Sequence, residues 1–213
     1  MVDVLLLDLD RTLVDLQTFT DYAAALVDAQ AIAGDVGLAQ VPETDWDRPT
    51  QACMSLLNAM AGTPRWAEVS AAIACHERAA IPQARVMPTV LDTLPLLRLH
   101  AVAVVTLLPT DVSSEVLAAC GIDVGPGAAI DLVVGRDPGM RPKPHPDGLQ
   151  FACRALGHRC EQATMIGDST WDRDAAHAAG SAFVGVPAVE GQLGPGVREA
   201  RTFASAVHLA LAP

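Results

Sequence analysis

The chain has 213 residues, 51% of them apolar and 18% charged. At a soft prior of ~150 residues per domain this suits one domain, or one core with a smaller insertion, and it excludes an intrinsically disordered chain. Fourteen Lys and Arg against 25 Asp and Glu leave a net charge of −11. That field repels nucleic-acid backbones and anionic lipid headgroups, and the basic residues do not cluster, so neither nucleic acid nor a membrane surface is an expected partner. Five cysteines (Cys53, Cys75, Cys120, Cys153, Cys160) with no C-x-x-C pair imply buried free thiols in a reducing compartment. The start of the chain lacks a basic n-region, and no apolar stretch approaches the ~18 residues of a membrane span, so a soluble cytoplasmic protein is expected.

In chain order, the apolar run Val4-Leu-Leu-Leu7 predicts a first strand, ending at Asp8. Residues 16–85 then show helical runs at 20–32, 47–61 and 66–79 and no convincing strand. The sequence Thr44-Asp-Trp-Asp47 before Pro49 has the form of a helix-start capping box. Beyond it, helical patterns at 89–99, 112–120, 146–156 and 172–179 alternate with short Val-, Leu- and Ile-rich runs at 102–105, 132–134, 164–166 and 183–186. Gly121, Gly157 and Gly180 mark helix ends. After the loop at 191–196 comes a last helix. Runs this short, without polar alternation, are strands buried on both faces, and their alternation with helices predicts an α/β fold: a doubly wound, Rossmann-like parallel sheet. The predicted organisation is a core of residues 1–15 and 86–213 with an all-helical cap inserted at 16–85.

In open parallel sheets, ligands sit beyond the carboxyl ends of the strands. Here those ends carry Asp8-Leu-Asp10-Arg-Thr12, then Thr106, then Gly167-Asp168-Ser-Thr-Trp-Asp172. Lys143, in Arg141-Pro-Lys-Pro-His-Pro146, lies just before the helix that feeds the last of these strands. It is the only lysine in a chain with thirteen arginines, placed where phosphate chemistry wants an ammonium. Clustered carboxylates repel one another and call for a cation, and an oxygen-rich set with few protein ligands suits Mg²⁺. Asp172 has two readings, as part of the acidic rim or as the capping partner of Ser169. Tyr22, Trp46 and Arg48 could face a substrate, but amphipathic helix faces explain them equally well. The six histidines show no metal-ligand spacing, and no zinc site is expected.

The order Asp-x-Asp-x-Thr, strand-end Thr, Lys-Pro, Gly-Asp-x-x-x-Asp resembles the haloacid dehalogenase-like hydrolase superfamily, in particular its phosphatases with a helical cap after the first motif. Residues 143–185 most resemble phosphoglycolate-phosphatase-like members. The resemblance implies that Asp8 is a nucleophile that becomes an aspartyl-phosphate, and that Asp10 is the general acid and then the base. It implies Mg²⁺ held by the Asp8 carboxylate, the Asp10 backbone carbonyl and Asp168, with Asp172 a more distant acid of the same metal site. Thr106 and Lys143 would hold the oxygens of the transferring phosphoryl group. Two departures bear on the leaving group: Arg11 stands where these phosphatases usually have Gly, and Leu107-Leu108 follow Thr106 in place of a small polar residue.

The expected function is thus Mg²⁺-dependent hydrolysis of a small phosphorylated metabolite. A dehalogenase has no use for the acid Asp10, and Schiff-base chemistry in the cap would need a lysine that residues 16–85 lack. A phosphomutase of the same fold would run the same aspartyl-phosphate chemistry. A non-catalytic phosphate-binding or phosphoacceptor domain would use similar residues in a different order along the strands.

Overall fold

The computed structural model of the chain describes residues 4–212. Its first half runs β1 (Val4–Leu7), β2 (Val14–Asp15), α1 (Tyr22–Ala33), α2 (Arg48–Ala59), α3 (Trp66–Ala80), β3 (Arg85–Val86), α4 (Val90–Thr93), β4 (Ala101–Val105) and α5 (Thr110–Ala119). The second half runs β5 (Leu132–Val134), α6 (Asp147–Ala155), β6 (Ala163–Gly167), α7 (Thr170–Ala179), β7 (Ala182–Gly185), β8 (Arg198–Glu199) and α8 (Phe203–Leu211). Six strands form one sheet in the order β5-β4-β1-β6-β7-β8, every neighbouring pair parallel.

The lack of alternation in the strands has a direct cause. Leu5 and Leu7 of β1 point into one apolar layer, shared with Val90, Val116, Leu117 and Phe203 from α4, α5 and α8. Val4 and Leu6 point into the opposite layer, against Leu149, Cys153, Ala175 and Ala176 of α6 and α7. Both faces are covered, which is the doubly wound arrangement. The strand β1 lies between β4 and β6, so the chain winds outward from it in both directions and leaves a crevice at the carboxyl ends of these three strands.

The helices α1, α2 and α3 build a third apolar cluster from Tyr22, Ala25, Ala29, Cys53, Leu56, Leu57, Val69 and Ile73. Trp171 of α7 is fully buried in that same cluster, so the sheet core reaches into the helical segment. The segment leaves and rejoins the core through an antiparallel pair, β2 with β3, in which Val14 faces Val86 and Asp15 faces Arg85. Among the described residues no helix is long and apolar enough to cross a membrane.

Several local expectations change. The helix predicted at 89–99 is one turn of α-helix followed by a 3-10 stretch over Leu94–Leu99, because Pro95 lacks the N–H that would continue the α ladder. At α2 the cap is Asp47 alone, whose Oδ1 accepts from Thr50 N at 2.8 Å with Pro49 in the first turn, and Thr44 lies outside the helix. The segment 16–85 also ends on a strand residue, Arg85. The cysteines are all free, but Cys75 is exposed and Cys120 half-buried, so the expectation of five buried thiols holds for Cys53, Cys153 and Cys160.

Candidate active site

Asp8, Thr106 and Asp168 each sit one residue beyond the end of a strand, on β1, β4 and β6, which are neighbours in the sheet. The parallel register therefore brings three side chains 60 or more residues apart in sequence to one edge. All three are at least 95% buried, with exposures of 5%, 5% and 3%. After Asp8 the chain turns sharply: Leu13 N and Val14 N both donate to Leu9 O, and Arg11 N donates to Val14 O. Arg11 adopts φ 65°, the left-handed region that glycine occupies without strain. The Asp10 carboxylate closes this turn by accepting from Leu16 N at 2.8 Å and Gln17 N at 3.0 Å.

Lys143 reaches the centre of the group. Its Nζ donates to Asp8 Oδ1 at 2.6 Å, Asp172 Oδ1 at 2.5 Å and Val105 O at 3.0 Å, and the residue is only 4% exposed. Burial alone would lower the pKa of this ammonium, but the charges of Asp172 and Asp8 outweigh it and raise the value. Both sequence readings of Asp172 are realised at once. Its Oδ2 accepts from Ser169 N and Ser169 Oγ as a helix cap, while its Oδ1 holds Lys143. This approach depends on Gly167, where an added Cβ would lie 2.5 Å from Asp172 Cγ.

Burial also sets the carboxyl groups apart from ordinary ones. Asp8 is pushed up to about 6 by desolvation and by Asp172, with Lys143 opposing. Asp10 is pushed up to about 7, chiefly by desolvation and against the pull of the Leu16 and Gln17 N–H groups. Asp168 is raised well above the usual carboxylate range, again by burial first and then by Asp8 and Asp172. Three buried acids that resist ionisation together are a set that a cation would relieve.

The donor set fits such an ion. One carboxylate oxygen each from Asp8, Asp168 and Asp172 lie within 4.8 Å of one another, and Asp168 Oδ2 is buried without a hydrogen-bond partner. Two carboxylates with remaining positions left to water and phosphate are what Mg²⁺ prefers. Both oxygens of Asp172 already serve Lys143 and Ser169, so Asp172 stands behind the pair formed by Asp8 and Asp168. The Asp10 carboxylate lies outside this cluster.

One cavity is lined by Asp8, Asp10, Thr106, Lys143 and Asp168 together, with Ser169 and Gln17 beside them. The Thr106 hydroxyl accepts from Leu108 N at 3.2 Å, which leaves its hydrogen free to donate. The helical segment supplies Tyr22, Trp46, Thr50 and Met54, and Leu107 and Leu108 complete the wall. Tyr22 and Trp46 thus face the site, whereas Arg48 is exposed and is not part of the lining.

Sequence reasoning missed the strut beneath this wall. Arg136, just after β5, is fully buried against Glu77 of α3, donating to both carboxylate oxygens at 2.8 and 2.7 Å. It also donates to Ser70 Oγ, Ser70 O and Leu107 O, and the Tyr22 hydroxyl donates to Glu77 at 3.2 Å. Arg11 makes a second link, bidentate to Asp45 and 3.5 Å from Asp168.

A parallel sheet with helices on both faces, bearing buried acids, a lysine and a threonine at its carboxyl edge, defines a hydrolase-type α/β protein. Residues 2–180 match the haloacid dehalogenase-like hydrolase family model, and the chain belongs to that family. It is 39% identical over 104 residues to a phosphoglycolate phosphatase of Haemophilus influenzae, a match covering 48% of this chain and 45% of that enzyme. This chain thus spans less than half the length of that relative. A probable phosphatase, IndB, of Dickeya dadantii is 29% identical over 203 residues, covering 87% of this chain and 81% of the other. The fold is shared with CbbY from Rhodobacter sphaeroides in complex with phosphate, at TM-score 0.69, 21% identity and 96% coverage of both chains. A hydrolase from Pseudomonas syringae aligns with TM-score 0.73 at 22% identity over 99% of each chain.

Proposed function

We propose that the protein is a Mg²⁺-dependent phosphatase of small phosphomonoesters that works through an aspartyl-phosphate on Asp8. The observation that carries this reading is the placement of Asp8 at the end of β1, bonded to Lys143 at 2.6 Å, in one cavity with Thr106, Asp10 and Asp168. The phosphatase names of the relatives agree with it. The organisation that goes with it is a core of residues 1–15 and 86–213 under a helical cap of 16–85, which the β2–β3 pairing at the junction supports.

In the first step an Asp8 carboxylate oxygen attacks phosphorus in line, and the bond from phosphorus to the leaving oxygen breaks. Asp10 gives its proton to that oxygen, so the alcohol leaves neutral. In the second step Asp10, now ionised, takes a proton from water, whose oxygen attacks phosphorus and releases the Asp8 carboxylate and inorganic phosphate. A carboxyl pushed up to about 7 is populated in both forms near neutrality, as this exchange of roles requires. Lys143 Nζ, exchanging its bond to Val105 O, and Thr106 Oγ1 donate to the phosphoryl oxygens, and Asp172 fixes Lys143 through its Oδ1. Asp8 and Asp168 would hold the Mg²⁺, with the Asp10 carbonyl as a further ligand. When bound, the ion supplies charge neutralisation for the clustered carboxylates and the transferring oxygens.

Phosphate release from a panel of phosphorylated metabolites, with Mg²⁺ and with EDTA, tests this function. Release that requires Mg²⁺ is expected. Release that survives exhaustive chelation, or an isomerised phosphoester as product, contradicts it.

A further inference from the structure

The cavity has two walls of different chemistry. Asp8, Asp10 and Asp168 line it from the strand ends, and Tyr22, Trp46, Thr50 and Met54 of the helical segment, with Leu107 and Leu108 after β4, form its uncharged part. Among the described lining residues Lys143 is the sole cation, and its ammonium is already shared by Asp8 and Asp172. Arg11 is not part of the lining, and its guanidinium is forked onto Asp45. A carboxylate or second phosphate on the leaving group would therefore be desolvated with no cationic side chain of the lining free to pair with it.

Neutral polar side chains, in contrast, belong to that lining. Trp46 Nε1 and Thr50 Oγ1 are both buried without a hydrogen-bond partner, and Thr50 is 2% exposed. An indole N–H can only donate, and a hydroxyl can donate or accept. Buried polar groups without partners are disfavoured, so a substrate that supplies partners for both is selected over one that does not.

Resting on the phosphatase reading above, we propose that Trp46 and Thr50 are specificity-determining residues. They select phosphomonoesters of an uncharged alcohol that carries a hydroxyl or carbonyl group, and the wall rejects leaving groups that carry a carboxylate or a second phosphate. The chain would then differ in substrate from the phosphoglycolate phosphatases it is related to, since glycolate carries a carboxylate.

The test compares kcat/KM for 2-hydroxyethyl phosphate, ethyl phosphate and phosphoglycolate, with p-nitrophenyl phosphate as a general reporter. The expected order is 2-hydroxyethyl phosphate over ethyl phosphate by about tenfold, and over phosphoglycolate by on the order of 100-fold. Thr50→Val keeps the side-chain shape and should bring the hydroxyethyl-to-ethyl ratio to about one, chiefly through KM. Trp46→Phe should shrink the same ratio. Faster hydrolysis of phosphoglycolate overturns the specificity and leaves the phosphatase reading standing, as does an unchanged ratio in both variants. No phosphate from any of the four overturns the phosphatase reading and the specificity with it.

Discussion

Replacing Arg136 by Met should destabilise the protein far more than an ordinary substitution, because it strands Glu77. Both side chains are wholly inaccessible, and the pair is a two-bond fork at 2.8 and 2.7 Å. Removing one member of such a pair leaves a buried charge without a partner and costs about 3–5 kcal/mol. At ~2–4 °C per kcal/mol for a chain of this size, the melting temperature should fall by about 6–20 °C. Leu107 O and Ser70 O also lose their donor, and the Tyr22 hydroxyl keeps only a displaced partner. Thermal and urea unfolding of Arg136→Met, Glu77→Leu and the double variant would measure this. The double variant removes the stranded charge and should regain at least half of the loss. A single variant that costs less than ~1 kcal/mol, or a double variant as weak as the sum of the singles, would refute the argument that this pair fastens α3 to the strand-end loops.

Lys143→Arg should keep the fold yet lower kcat/KM at least ~10-fold, a barrier rise of about 1.4 kcal/mol, because a planar guanidinium cannot replace a point ammonium bonded to three oxygens. Steady-state kinetics beside thermal melts checks it, and unchanged kinetics would make Lys143 dispensable. In EDTA, acidification from about pH 7 toward pH 4 should raise the melting temperature. Asp8 and Asp10, at about 6 and about 7 when folded against an ordinary value of 3.8, bind protons in the folded state before the unfolded one does, so stability falls as pH rises through that window. The depressed carboxyls of Asp45 and Asp147 titrate below the window, and His145, lowered from 6.5 by burial and by Arg141, opposes the effect within it as one group against the raised Asp8, Asp10 and Asp168. Stability that drops on acidification across this range would contradict the assigned burial of these acids, and Mg²⁺ should stabilise more at the high-pH end.

The acidic edge was legible because each strand is a short apolar run, so the polar residue that ends it announces the carboxyl edge. Lys143 stood out as a lone lysine among arginines, and its ammonium is bonded to three oxygens at that edge. Asp172 could not be resolved from sequence, since a cap and a lysine partner demand the same residue at the same spacing. Arg136 and Glu77 are 59 residues apart and look like any surface pair until the fold buries them. Trp46 and Thr50 were unreadable for a similar reason: whether an indole N–H or a hydroxyl is satisfied depends on what packs over it. The two-residue strands β2, β3 and β8 carry no periodicity at all, and Pro95 converted a convincing helical pattern into a 3-10 turn.

If Asp8 carries the phosphoryl group, quenching the enzyme during steady turnover of a small phosphomonoester traps it there. Borohydride reduction of the quenched protein converts an acyl phosphate to an alcohol, so mass spectrometry of the peptide that contains β1 should find homoserine at position 8 and intact aspartate at position 10. Asp8→Asn should show no such product and a loss of turnover on the order of 10³-fold or more. Reduction at Asp10 or Asp168, or phosphate release at the wild-type rate from Asp8→Asn, would contradict the account.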